Sequence, residues 1–100
     1  MRRVFIVNDG GHNYADAKRF GELTFCTDKV IRRSDTAQMY RELNCALATS
    51  NADDYLLVSS LASLCIVAAG ILSAAHGELH LLIYEGGQYV ARDIMFDSQE

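Results

Sequence analysis

The sequence predicts an α/β protein: a small Rossmann-like or flavodoxin-like three-layer sandwich, with parallel sheet order 2-1-3-4 and a C-terminal hairpin strand antiparallel at the edge. Three observations predict it. Short apolar runs alternate along the chain with segments of helical period, the pattern of parallel strands joined by right-handed crossovers. The 21-residue window from Tyr55 to Ala75 holds no charge and no proline, and it changes character halfway. Its first part, with Asp54 ahead of it and Ser59-Ser60 at its end, suits a buried strand. Its second part, from Leu61, suits a helix that is apolar on every side. Finally, Leu79 to Tyr84 and Gln88 to Ile94 flank Gly86-Gly87, a pair suited to the type I′ turn of a hairpin.

Each element follows from local chemistry. Val4-Phe5-Ile6-Val7 is an apolar run that ends in Asn8-Asp9-Gly10-Gly11, hence a strand followed by a loop. Asn13-Tyr14-Ala15-Asp16 suits an N-cap with an acid in the first turn, opening a short helix that stops near Phe20-Gly21. Glu22 to Thr27 is the second strand. Asp35-Thr36-Ala37-Gln38 resembles a capping box with Asp in place of Ser or Thr. The helix behind it sets Met39, Leu43, Ala46 and Leu47 on one stripe and ends by Asn51-Ala52-Asp53. Gly77 can terminate the apolar helix in a left-handed conformation, with His76 near its negative end.

Composition bounds the function. One hundred residues, half of them hydrophobic and 22% charged, make one domain over residues 1–100 and exclude disorder. Cys26, Cys45 and Cys65 are odd in number, lack C-x-x-C spacing and sit in apolar contexts, so buried reduced thiols are expected rather than a zinc site or a disulfide framework. The net charge of −4 hides a split: the first 41 positions hold eight of the nine basic residues against five acidic ones. Residues 42–91 contain no Lys or Arg. No direct nucleic-acid binding is expected from this balance, while a local anion site in the first half fits it. The apolar window is long enough for a bilayer, but Ser59, Ser60 and Ser63 interrupt it, and its flanks (Asp53, Asp54, His76, Glu78) carry no Lys or Arg. Val4 to Val7 is too short for the core of a signal peptide. The expectation is a cytoplasmic protein without a membrane span.

A helix covering one face of a sheet needs an apolar stripe only about 100° wide. The helix running from Leu61 to Ala75 exceeds that, so its outer face needs cover. Other helices of the domain supply it, or a second copy does, with Ala68, Ala69 and Gly70 permitting close approach. A homo-oligomer through this helix is the expectation.

In open α/β sheets, ligands lie beyond the carboxyl ends of the strands where strand order reverses. For order 2-1-3-4 that point falls between the first and third strands. The loops there contain Asn8, Asp9, Gly10, Gly11 and His12 on one side and Ser59, Ser60 and Ser63 on the other. Both lead into helix N-termini, which favour anions. The loop after the second strand adds Lys29, Arg32 and Arg33, so a phosphate-bearing ligand is expected. Each piece also has a plain use: Asn8-Asp9-Gly10-Gly11 as turn and cap, Ser59-Ser60 as caps, Arg32-Arg33 as a solvated pair. No G-x-G-x-x-G or Walker loop is present, and no cofactor is called for.

Catalysis has weaker grounds. Asp9 and His12 are close enough in sequence for an acid–base pair, with Ser59 or Ser60 as nucleophile. His76-Gly77-Glu78-Leu79-His80 offers two histidines and an acid, but a helix end and a strand separate them, against a metal site. No carboxylate pair has the spacing of a glycosidase or two-metal centre.

Asn8-Asp9-Gly10-Gly11-His12-Asn13-Tyr14, Phe20-Gly21, Asp35-Thr36-Ala37-Gln38-Met39-Tyr40 and Asp54-Tyr55-Leu56-Leu57 together resemble small α/β proteins encoded by bacteriophages. The resemblance spans most of the chain and carries over no catalytic residue. It implies action by binding inside the host cell, including capture of nucleotide signals by oligomers that evade host defence. The expected function is non-catalytic sequestration of a small phosphorylated ligand, a nucleotide or nucleotide signal. The alternatives are an inhibitor of a host protein acting through the acidic second half, and a small nucleotide hydrolase using Asp9 and His12.

Overall fold

The computed structural model describes residues 2–59 and 61–96. They form one mixed sheet of five strands with two α-helices. The strands are β1 (Arg3–Asn8), β2 (Glu22–Thr27), β3 (Tyr55–Leu57), β4 (Glu78–Glu85) and β5 (Gln88–Met95), in spatial order β2-β1-β3-β4-β5. β1 pairs in parallel with β2 and β3, β3 pairs in parallel with β4, and β5 returns antiparallel on β4. Strand order and the antiparallel C-terminal pair agree with the expectation from sequence. Gly86 and Gly87 both take positive φ, 64° and 86°, as a type I′ turn requires.

The helices α1 (Thr36–Ala46) and α2 (Ala62–His76) lie against one face. There Met39, Leu43 and Leu47 meet Leu64, Ala68 and Leu72 over Phe5, Val7, Leu56 and Leu79. Each fully buried side chain of this kind contributes about 1.5–3 kcal/mol. Val4, Ile6, Tyr55, Leu57 and Leu82 face the other way, under Tyr14 and Ala17. That side is covered by a five-residue 3-10 helix, Ala15–Arg19, where the sequence suggested an ordinary short helix. Its N-cap is Tyr14, without a side-chain cap, and Asn13 makes a turn just ahead of it, its Oδ1 accepting from the Ala15 amide at 2.9 Å.

Half of the expected capping box forms at α1. Asp35 Oδ1 accepts from the Gln38 amide at 3.1 Å, but the Asp35 amide donates to the Arg32 carbonyl at 2.9 Å, leaving nothing for Gln38 to reach back to. α1 also stops at Ala46, short of Asn51. α2 ends at Gly77 with φ 71°, as expected.

Two expectations are corrected. Ala68 is fully buried against the sheet, so it cannot belong to an outer contact face of α2. Cys45 is exposed rather than buried, because it falls on the outer side of α1, while Cys26 and Cys65 are half-buried. Burial pushes the Cys26 thiol up to about 12. Among the described residues no helix is long and apolar enough to cross a membrane.

Candidate functional site

The strand order reverses between β1 and β3, and the loops leaving their carboxyl ends define the site. After β1 the chain folds on itself. Asp9 Oδ1 accepts from the Gly11 amide at 2.9 Å, and the Gly10 amide donates to the Tyr14 hydroxyl at 3.1 Å. Gly11 has φ +80°, which a side-chain-bearing residue adopts only with strain. Asp9 therefore makes a turn of its own loop. His12 is exposed and stands edge-on to Tyr14, ring centres 6.1 Å apart. Among the described residues no hydrogen bond joins Asp9 to His12. Asn8 sits half-buried at the end of β1, level with Thr27 of β2.

Beyond β3, Val58 and Ser59 lead toward α2. Ser59 Oγ is shielded from solvent and has no hydrogen-bond partner among the described residues, while the Ser59 carbonyl accepts from the Cys65 thiol at 3.0 Å. Ser60 lies outside the described residues. α2 begins with Leu61 as N-cap, a residue whose side chain cannot cap, so its first-turn amides receive no side-chain acceptor. Ser63 is turned to another use: its hydroxyl donates to the Arg33 carbonyl at 3.1 Å. That bond fastens the β2–α1 loop to the first turn of α2.

Arg32 and Arg33 are exposed, and neither makes an ion pair among the described residues. Lys29 is engaged instead: its Nζ is 3.0 Å from Glu42 Oε2, and that hydrogen bond raises its pKa. A cavity of about 350 Å³ beside this loop is lined by Asn8, Asp9, Thr27, Asp28, Lys29 and Val30, among others. Two carboxylates there offset the lysine.

A second cavity, about 410 Å³, lies across the reversal and is lined by His12, Asn13, Val58, Ser59, Tyr84 and Tyr89. The sequence reading reached His12 and Ser59 and missed the two tyrosines. They face each other across the hairpin, Tyr84 paired with Tyr89, with ring centres 5.1 Å apart and planes at 67°. The available signal was their symmetric spacing about Gly86-Gly87, which puts both on one face. Asp16 holds this wall in place: its Oδ2 accepts from the Tyr89 amide at 2.8 Å, and that bond lowers the Asp16 pKa. Burial raises the Tyr89 phenol. A larger cavity, about 700 Å³, opens by Arg2, Lys18, Arg19 and Phe20 at the amino ends of β1 and β2. Its two arginines are taken up, Arg2 by Tyr55 and Asp53 and Arg19 by Asp16, and we place the candidate site at the carboxyl ends, where the strand order reverses.

The remaining histidines are structural. His76 Nε2 shares a 2.8 Å hydrogen bond with Ser50 Oγ. His80, nearly buried on β4, touches Asp93 Oδ1 through Nδ1 at 2.7 Å and Glu78 Oε1 through Nε2 at 2.6 Å. Both ring nitrogens can donate only in the charged form. The Asp93 hydrogen bond, followed by that of Glu78, raises the His80 pKa against the opposing effect of burial. A raised folded-state pKa stabilises fully below the ordinary value of 6.5 and is lost as pH climbs through the folded value. The melting temperature should therefore fall as pH rises above 6.5 through the folded value, and His80→Gln should flatten this part of the profile. An unchanged profile in His80→Gln would show that another group controls it.

The described residues thus form an α/β protein with a mostly parallel sheet and a cavity of about 410 Å³ at its order reversal. The chain belongs to the phage Pam3 gp32-like protein family, whose model matches residues 2–97. The resemblance to phage-encoded proteins read from the sequence is thus established at family level. No curated protein and no solved structure matches the chain.

Proposed function

We propose that this phage-family protein binds a small phosphorylated ligand, a nucleotide or nucleotide signal, and holds it without turnover. The ligand lies at the carboxyl ends of β1 and β3, with the 3-10 helix serving as the third layer of a Rossmann-like arrangement. One observation carries the reading: the Ser63–Arg33 hydrogen bond joins an uncapped helix start to a loop whose two arginines make no ion pair among the described residues. Free amides and guanidinium groups are the donors that bind phosphate oxygens best. The absence of an Asp9–His12 contact among the described residues favours holding over hydrolysis.

With ATP and GTP as probes, Arg32→Ala combined with Arg33→Ala should weaken binding by about tenfold or more, one lost charge-assisted contact being worth about 1.5–3 kcal/mol. The melting temperature should not move, since both side chains are exposed. Unchanged affinity in calorimetry would remove the phosphate assignment.

The binding unit in this reading is a pair of chains joined through α2. Ala62, Ile66, Gly70 and Ala74 form an exposed ridge at four-residue intervals, with Ile66 70% exposed. Gly70 costs the helix about 1 kcal/mol relative to alanine, yet a Cβ there would meet nothing within 4 Å. Its own chain gives no reason for the glycine. A groove of about 480 Å³ beside it, lined by Tyr40, Val67 and Ile71 among others, is a hole one turn from the Ile66 knob. A two-fold axis between them seats each Ile66 in the other chain's groove, the self-complementarity an isologous contact needs.

A further inference from the structure

We infer that the cavity beside Ser59 receives a planar nitrogen heterocycle, the base of the bound nucleotide, stacked on Tyr84; this rests on the phosphorylated-ligand reading above and names the part of the ligand that reading leaves open. The cavity differs from the arginine side in kind. Its lining of His12, Asn13, Val58, Ser59, Tyr84 and Tyr89 contains no permanent charge, so it suits the uncharged end of such a ligand. Its volume, about 410 Å³, falls within the range of small-molecule pockets.

Three features specify a flat polar ring. Tyr84 remains 59% exposed while lining the cavity, whereas Tyr89 is 4% exposed and stands edge-on to it. Tyr89 thus buttresses Tyr84 and leaves it accessible as a stacking platform. Aromatic platforms take bases of any sequence because every base has a π-face. Next, Ser59 Oγ is shielded from solvent without a partner among the described residues, a costly state for a hydroxyl that a ligand relieves by supplying a donor or acceptor. Ring nitrogens and exocyclic amino or keto groups of a base do so. Asn13 adds a second polar group: its Oδ1 is engaged by Ala15, while its NH₂ has no partner among the described residues. Ser59 also precedes Leu61, the N-cap of α2, by two positions. That is at most about 7 Å of chain, so a base at Ser59 leaves its phosphate beside the first turn of α2.

The test titrates the protein with adenosine, guanosine, cytidine, uridine, their 5′-triphosphates and inorganic tripolyphosphate, by ligand-observed NMR and calorimetry. At least one nucleoside should bind, and its triphosphate should bind more tightly. Tyr84→Ala should weaken the nucleoside about ten- to a hundredfold, the span of one base–aromatic stack, while Tyr84→Phe retains it and Ser59→Ala weakens it. Tripolyphosphate binding as tightly as every triphosphate, with Tyr84→Ala without effect, would overturn the base pocket and leave the phosphate reading standing. A nucleoside binding as tightly as its triphosphate, with the double arginine variant without effect, would support the base pocket and overturn the phosphate reading. Binding of none of the probes would overturn both. Tyr84 is exposed enough for its variants to fold, which a circular dichroism melt verifies.

Discussion

Asp54→Ala should cost about 2–6 kcal/mol of folding free energy, since two buried amide donors each lose their acceptor at about 1–3 kcal/mol. The Asp54 side chain is fully shielded from solvent, and it accepts from the Arg3 amide at 2.9 Å and the Asn51 amide at 2.7 Å. Arg3 Nε lies 3.9 Å away, and the same guanidinium reaches the Thr49 carbonyl. One carboxylate therefore joins the start of β1 to the turn ahead of β3, fixing the pair of strands whose far ends carry the candidate site. Alanine strands the two amides together, while the Arg3 guanidinium keeps Thr49. Against a total stability of about 5–15 kcal/mol for a domain, such a loss is severe. Urea titration checks it, with Asp54→Asn expected between wild type and alanine because one acceptor oxygen survives. A loss under about 1 kcal/mol would place Asp54 among ordinary surface charges.

The second large effect concerns mass rather than stability. Light scattering should report twice the 11.1 kDa of one chain for the wild type, and a single chain for Ile66→Glu. A charge at the centre of an apolar contact loses its water without gaining a partner, which abolishes association rather than weakening it. Ile66 is 70% exposed in the single chain, so the variant should keep its fold. Gly70→Ala is the sensitive companion. It should raise the melting temperature of the separated chain, through helix propensity of about 1 kcal/mol, and loosen the pair by filling its groove. A wild type that remains single at every accessible concentration would end the pairing proposal.

The sheet was legible in sequence because its signals are local. Val4 to Val7, Glu22 to Thr27 and the Gly86-Gly87 hairpin each carry a run, a period or a turn chemistry readable without the rest of the chain. Met39 and Leu43 repeat at helical spacing for the same reason. What escaped depends on contacts far apart in sequence. The 3-10 helix Ala15–Arg19 is tied down by bonds to a distant residue, Asp16 accepting from the Tyr89 amide 73 positions on and Arg19 donating to the Tyr89 carbonyl 70 positions on. Tyr84 and Tyr89 looked like hairpin side chains until β4 was placed beside β3, which brought them level with Ser59. Glu78 stood near His80 in sequence, but the second acid, Asp93, arrives only when β5 folds back. The diversion of Ser63 to the Arg33 carbonyl belongs to the same group.

The order β2-β1-β3-β4-β5 also sets a schedule. β1 leaves the ribosome first, and its Val4, Phe5, Ile6 and Val7 become wholly enclosed in the finished molecule. One flank is filled by β2 within about twenty residues, but Val4 pairs with Tyr55 on the other, so some fifty further residues must be made first. Closing so long a loop precedes any reward from the contact. During that interval the most water-averse stretch of the chain has one open edge, the state in which strands find wrong neighbours. In a cell making this protein quickly, nascent chains should be at greatest risk of clumping before Leu57 emerges, and the arrival of β3 should end that exposure.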